Sequence, residues 1–199
     1  MITLNTILIT YTTNAGTTEE VARVIAEELG KSGAKTEVRR LEEVTSLQPY
    51  SAVIIGAPMI LGWHRNAVNF VKQHQQALSK LPVAYFITAM SLTYAGQKRI
   101  GDVPLYVDSG LGKPPHNPNR LSLKERYTNV TNYASQPLKA ALQVTPISIG
   151  IFGGKLEMYR LKLLHALFVM LILRAPMGSL QNWSAVREWA TQLASRFSA

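Results

Sequence analysis

Residues 3–18 read TLNTILITYTTNAGTT, an apolar run followed by a loop of small and hydroxyl residues, and the fold is best predicted from this junction. The part that ends at Tyr11 is rich in β-branched residues and predicts a strand, whereas an acidic helix with apolar periodicity begins at Glu19. The loop between them follows the carboxyl end of the first strand, where an open α/β sheet binds its ligands. Because hydroxyl groups and free N–H groups at a helix N-terminus suit an anion, we predict a phosphate site in this loop.

The loop contains one glycine, Gly16, and no basic residue. It therefore lacks the Gly-Lys-Ser/Thr sequence of an ATP or GTP P-loop and the G-x-G-x-x-G fingerprint of dinucleotide binding. A phosphate in this loop is expected to be held by neutral hydrogen bonds. The alternative is an ordinary Thr-rich turn in which Thr17 or Thr18 caps the helix.

Four more strands are expected, and helical patterns separate them. They are Lys35–Leu41, Tyr50–Gly56, Leu81–Met90 and Thr145–Phe152. The alternation predicts one α/β domain over residues 1–199, with a doubly wound parallel sheet and helices on both faces. The charges of the second strand place it near an edge, and the nearly continuous apolar character of the third places it in the middle.

Residues 94–119 differ from the rest of the chain because Gly, Pro, Asn and Asp dominate and no periodicity is visible. A loop of this length is either a functional lid or a mobile excursion on the surface. Ordered structure is expected to resume at the capping box formed by Ser122 and Glu125.

A second unusual segment, residues 155–178, is predicted to be an apolar helical insertion before the last helix. Within it, the stretch Leu156–Leu173 contains the uncharged run Leu163–Leu173, which is shorter than the run of about 20 residues that spans a bilayer. Basic residues bracket it, as expected for an interfacial helix that contacts an anionic membrane surface. The alternative is a buried helix, or one that covers the seam of a homo-oligomer.

The composition excludes several kinds of chemistry. The chain has no cysteine, which removes disulfides, thiolate nucleophiles and iron–sulfur ligation, and no metal site is expected. The formal net charge is +9, but the Lys and Arg residues are spread along the chain and no nucleic-acid motif appears. We therefore expect no nucleic acid, and favour an anionic membrane surface or substrate as the partner. No signal peptide is visible, so the expected location is cytoplasmic.

The pattern Tyr11-x-Thr13-x-x-Gly16-x-Thr18 resembles the flavodoxin signature, although Thr10 stands where that signature has a large apolar residue. The resemblance implies a flavodoxin-like, five-stranded sheet of order 2-1-3-4-5. It also implies that flavin mononucleotide (FMN) binds where the strand order reverses, between strands 1 and 3.

The loops after strands 1, 3 and 4 would then meet around FMN. The resemblance implies that the first loop binds the phosphate, the second lines the isoalloxazine ring and the third approaches the pyrimidine side of that ring. The residues are Thr12, Thr13, Asn14, Ala15, Gly16, Thr17 and Thr18 in the first loop; Pro58, Met59, Ile60, Gly62 and Trp63 in the second; and Met90, Ser91, Leu92 and Tyr94 in the third.

Two of these loop positions have a plainer interpretation. Trp63 is either a ring contact or a core residue at the start of a helix. His64 is the one candidate for proton transfer near the flavin, and the alternative is a surface histidine at a helix N-terminus.

A narrower resemblance rests on Gly56-Ala57-Pro58, on Gly62-Trp63-His64 and on the C-terminal run from Asn182 to Ala190. These segments resemble those of the flavodoxin-domain family of quinone-dependent protoporphyrinogen dehydrogenases. That similarity implies an FMN-dependent oxidoreductase at the cytoplasmic membrane face, which passes electrons from a reduced substrate, protoporphyrinogen IX, to a quinone. The alternatives are a flavodoxin-like electron-transfer protein without its own substrate and an FMN-independent binding module that kept the fold.

Overall fold

The computed structural model describes residues 6–60, 62–94, 96–156 and 178–197. The predicted insertion spans residues 155–178, and its residues 157–177 lie outside the described residues. The stretch Leu156–Leu173 is therefore described only at Leu156. Its contact with a membrane therefore stays a prediction. Within the described ranges, no helix is long and apolar enough to cross a bilayer.

Parallel strands and short edge ribbons make up the β structure of the described chain. The strands are β1 Thr6–Tyr11, β2 Lys35–Arg40, β3 Tyr50–Pro58, β4 Val83–Ala89, β5 Leu92–Thr93, β6 Arg99–Ile100, β7 Val103–Val107, β8 Gly112–Lys113, β9 Ser148–Gly153, β10 Lys155–Leu156 and β11 Gly178–Ser179. The helices are α1 Thr17–Lys31, α2 Arg65–Gln73, α3 Gln75–Leu78, α4 Leu123–Tyr127, α5 Val130–Ala140 and α6 Trp183–Phe197, with a 3₁₀ turn at Leu41–Glu43.

Five strands of the main sheet follow the order β2-β1-β3-β4-β9, and each neighbouring pair among them is parallel. Because β9 is the fifth predicted strand, this order confirms the flavodoxin-like sequence 2-1-3-4-5. The charged strand β2 lies at one edge, and β3 lies between β1 and β4. The doubly wound α/β class is therefore confirmed.

The expected number of strands was wrong: within the described residues the main sheet has seven strands, and two of them come from the long loop. Strand β7 pairs in parallel with β9, and β6 pairs antiparallel with β7. Without β7, the edge of β9 would expose unpaired backbone N–H and C=O groups, and pairing with β7 satisfies them. Pro104, which lacks an N–H group, disguises the strand in the sequence, and it precedes Leu105–Val107, the residues of β7 that pair with β9.

Helices pack on both faces of the sheet because strand side chains alternate between the faces. On one face, α1 and α6 cover Ile9, Ile54, Phe86 and Phe152. Leu8, Val53, Ile55 and Tyr85 point to the other face, which α2 and α5 cover. The two apolar layers hold the carboxyl ends of the strands at fixed positions.

A buried carboxylate ties the long loop to the sheet. Asp108, directly after β7, is fully buried and accepts hydrogen bonds from the N–H groups of Gly110 at 2.9 Å and Gly153 at 3.4 Å. It also accepts a bond of 2.9 Å from the side-chain amide of Asn182, whose oxygen caps α6. A buried carboxylate needs such partners, and these three come from three separate parts of the chain.

A second carboxylate fastens the far end of the loop to α4. Glu125 accepts from the N–H of His116 at 2.7 Å, and from the N–H and hydroxyl of Ser122 at 2.8 and 2.7 Å. This arrangement confirms the predicted capping box. The backbone N–H of His116 and the donors of Ser122 lower the pKa of Glu125 from its usual 4.5 to about 2.

We predict that Glu125→Gln loosens residues 114–122, because an amide offers one acceptor and places its own donor against the N–H groups. Hydrogen exchange should show faster exchange in this segment and no change in the strands, whereas Glu27→Gln on α1 serves as a control. The lowered pKa means that Glu125 stabilises the segment above about pH 4.5 and loses this effect as pH falls toward 2. Protection that is equal in Glu125→Gln and the wild type would contradict the role.

Candidate functional site

A cleft opens at the carboxyl edge of the sheet where the strand order reverses between β1 and β3. Its empty space, about 500 Å³, is continuous with open solvent. The loops after β1, β3, β4 and β9 form its walls. The lining residues are Thr13, Asn14, Ala15, Thr17, Thr18, Pro58, Met59, Ile60, Thr88, Ala89, Met90, Gly154 and Lys155.

The loop after β1 forms a cradle of neutral donors. Gly16 has φ +90°, a left-handed conformation that favours glycine, and its N–H donates to the hydroxyl of Thr13 at 2.8 Å. The carbonyl of Gly16 accepts the first bonds of α1, from Glu19 and Glu20. The N–H groups of Thr17 and Thr18, in the first turn, have no acceptor within the helix. The loop can therefore offer several N–H groups and hydroxyls to an anion.

Threonine side chains attach this cradle to neighbouring strands. The hydroxyls of Thr18 and Thr88 share a buried hydrogen bond of 3.0 Å, which joins α1 to β4. The hydroxyl of Thr17 accepts from the N–H of Lys155 at 3.2 Å and lies 3.3 Å from the Lys155 carbonyl. Cross-links of this kind hold the first turn of α1 against the ends of β4 and β9. The cradle is therefore preorganised.

The loop after β3 supplies an apolar wall. Pro58, Met59 and Ile60 line the cleft, and the N–H of Met59 donates to the carbonyl of Thr88 at 2.9 Å. The phenol of Tyr127 donates to the Ile60 carbonyl, so α4 holds the tip of this loop. Gly62 has φ +112°, which lets the chain turn sharply after this wall.

The structure places Trp63 and His64 outside the lining of this cleft. Trp63 is buried in the core with its ring centroid 5.5 Å from that of Tyr85, and its backbone N–H donates to the side-chain oxygen of Gln136 at 2.6 Å. His64 caps α2, where its Nδ1 accepts from the N–H of Asn66 at 3.2 Å. These positions match the plainer interpretation of both residues.

Of the other predicted site residues, some line this cleft and some lie elsewhere. Met90 lines the cleft, but Ser91 and Leu92 line a neighbouring one. Tyr94 is half-buried and donates to the Gln97 carbonyl at 2.9 Å. The lining also omits Thr12, Gly16 and Gly62, which support the loops through their backbones.

The structure adds lining residues that sequence reasoning missed. Thr88 and Ala89 end β4, and Gly154 and Lys155 follow β9. Gly154 lies beside the end of β4, where its N–H donates to the Ala89 carbonyl at 2.8 Å. The signal that could have found them is the shared edge, since parallel strands bring all of their carboxyl ends together.

Comparison with known proteins agrees with this geometry. A model of the flavodoxin domain matches residues 8–179. The protein named protoporphyrinogen IX dehydrogenase [quinone] in Escherichia coli K12 is 33% identical over 82 residues, which are 40% of this chain and 45% of that protein. A protein of the same name in Leishmania major is 23% identical over 200 residues, which cover 94% of this chain and 74% of its own length.

Two solved structures share the fold at low sequence identity. An archaeal flavodoxin superposes with a TM-score of 0.52 at 10% identity, covering 98% of this chain and 99% of its own. A short-chain flavodoxin associated with a bacterial microcompartment gives 0.51 at 11% identity, covering 96% and 98%. The aligned part of the chain spans less than half the length of the E. coli protein.

We predict that Thr13→Val lowers FMN affinity by about tenfold to a hundredfold, because it removes the acceptor for Gly16 and one hydroxyl of the cradle. Quenching of flavin fluorescence on titration measures this affinity. Thr13→Ser should restore it, and Thr36→Val, an equal change on strand β2, should leave it unaltered. Equal FMN affinity in Thr13→Val and the wild type would contradict the assignment of the phosphate to this loop.

Proposed function

This chain belongs to the flavodoxin domain family, whose cofactor is FMN, and we propose that it is an FMN-dependent oxidoreductase that passes electrons from protoporphyrinogen IX to a quinone. The observation that carries the proposal is the neutral cradle at the reversal of strand order, opening onto an apolar wall. The names of the E. coli and Leishmania proteins support the substrate and the acceptor.

The chemistry of the cleft fits FMN. The left-handed Gly16 and the unbonded first-turn N–H groups suit a phosphate without requiring a basic side chain. Pro58, Met59, Ile60 and Met90 offer apolar surface of the kind that a flat ring needs. We assign the phosphate to the loop after β1 and the ring to the walls formed after β3 and β4.

Bound FMN supplies a centre that accepts electrons from one molecule and gives them to another. The residues of the chain bind and orient it. The cross-links of Thr17 and Thr18 fix the phosphate end, and the Tyr127 bond to Ile60 fixes one wall. We assign no proton-transfer residue, since His64 lies outside the cleft lining and uses Nδ1 to cap α2.

The location is part of the same proposal. The net charge of +9 favours anionic surfaces and anionic substrates. The segment Leu156–Leu173, whose uncharged run Leu163–Leu173 is bracketed by Arg160, Lys162 and Arg174 in the sequence, would place the protein at the cytoplasmic face of the membrane, where quinones are held.

The direct test is anaerobic turnover with the FMN-loaded protein, protoporphyrinogen IX and a quinone. We expect porphyrin fluorescence to rise only when both FMN and quinone are present. In Thr13→Val, the rate should fall in proportion to the FMN lost and recover at saturating FMN. A protein that retains FMN and exchanges electrons with a redox protein, but produces no porphyrin, would instead be a flavodoxin-like electron carrier.

Membrane contact has a separate test. The wild-type protein should sediment with vesicles of anionic phosphatidylglycerol at low salt, and a chain lacking residues 157–177 should not. High salt should weaken the interaction, because basic residues contribute part of it. Equal sedimentation of the shortened chain would remove this segment from the interface.

A further inference from the structure

A second cleft lies beside the flavin cleft, and the long loop builds it. It encloses about 1140 Å³ that is open to solvent. The loop and the start of α4 contribute Lys113, His116, Arg120, Lys124 and Glu125 to its walls. It is therefore larger than the flavin cleft and differs from it in charge.

The cleft carries an excess of positive charge. Lys113, Arg120 and Lys124 are three cations against the single carboxylate of Glu125. Within the part of the chain that the structure describes, none of these three cationic side chains has an ion-pair or hydrogen-bond partner. Glu125 already accepts from Ser122 and from the N–H of His116, so both of its oxygens are occupied. The cations are consequently available to an anion from solution.

Consecutive residues of the chain line the two clefts. Met90 lines the flavin cleft, and the next residues, Ser91 and Leu92, line the basic one. Helix α4 connects them as well, because it carries Lys124 on the basic side while its Tyr127 holds the Ile60 carbonyl of the flavin wall. A large molecule bound at the apolar walls can therefore extend into the basic cleft.

We propose that the basic cleft binds the carboxylates of the substrate whose ring system is oxidised at the flavin cleft. The ligand class is a large apolar ring that bears carboxylates, and lysine and arginine side chains suit those groups. This inference rests on the proposed function for the identity of that substrate. The long loop thereby becomes the element that selects the substrate.

The test uses protoporphyrin IX, the oxidised product, so that binding is measured without turnover. The triple variant Lys113→Gln, Arg120→Gln and Lys124→Gln is compared with Lys72→Gln, Lys80→Gln and Lys139→Gln, which removes equal charge outside both clefts. Each protein is loaded with FMN, and porphyrin fluorescence is titrated. We expect the first triple variant to bind at least about tenfold more weakly and the second to bind like the wild type.

A second ligand isolates the carboxylates. The dimethyl ester of protoporphyrin keeps the ring and loses both negative charges, so its affinity should not respond to either triple variant. In turnover, the first variant should raise KM and leave kcat close to the wild type. Retention of FMN confirms that each variant is folded.

The outcomes separate this inference from the proposed function. Three results would each overturn the proposed role of the basic cleft. They are an equal loss of porphyrin affinity in both triple variants, an equal response of acid and ester affinity to the first variant, and no porphyrin binding by the wild type. Charge-dependent binding of the acid without porphyrinogen turnover would support the cleft while the proposed function fails. Loss of vesicle sedimentation in the first variant, with porphyrin binding unchanged, would assign the cations to lipid and overturn the inference.

Discussion

Parallel pairing of β1 with strands on both of its sides is the constraint on which the rest of the structure depends. Because β2 lies on one side and β3 on the other, the connections after β1 and β3 leave on opposite faces of the sheet. A gap remains between them at the carboxyl edge, and the cleft occupies it. The geometry follows from strand order alone, so the residues in the loops decide only what the gap binds.

Neutral hydrogen bonding then defines the character of that gap. The cradle holds its shape through threonine hydroxyls and a left-handed glycine, and its loop offers neutral donors and no basic side chain. Close packing beneath the cleft supports this arrangement. An added Cβ on Gly56 would lie 1.9 Å from the Phe86 ring, so that ring packs over β3 only because this position lacks a side chain.

The long loop is the part of the molecule that goes beyond a minimal flavodoxin-like sheet. It extends the sheet past β9, is anchored inside by Asp108, and is fastened outside by Glu125. Two carboxylates thus hold the loop in place, while three cations of the same region face a cleft. Acidic groups that are satisfied within the protein and basic groups that are not produce a local field that favours anions.

Local sequence patterns were sufficient for the framework and for the first loop. The β-branched run through Tyr11, the acidic helix after it and the alternating elements specify the parallel sheet, because periodicity and strand burial are short-range properties. Most of the predicted lining from Thr13 to Thr18 and from Pro58 to Ile60 does meet in the cleft. Ser122 and Asn182 cap their helices as their positions indicate.

Tertiary structure decided the remainder, because it depends on contacts between distant parts of the chain. Strand β7 exists by pairing with β9, which no periodicity within Gly- and Pro-rich residues reveals. Gly154 and Lys155 reach the cleft because β9 ends beside β4, and Trp63 turns into the core because Tyr85 lies there. The sequence thus specified the five parallel strands and the turn after β1. Which side chains face the cleft was settled only on folding, since that depends on packing between segments far apart in the sequence.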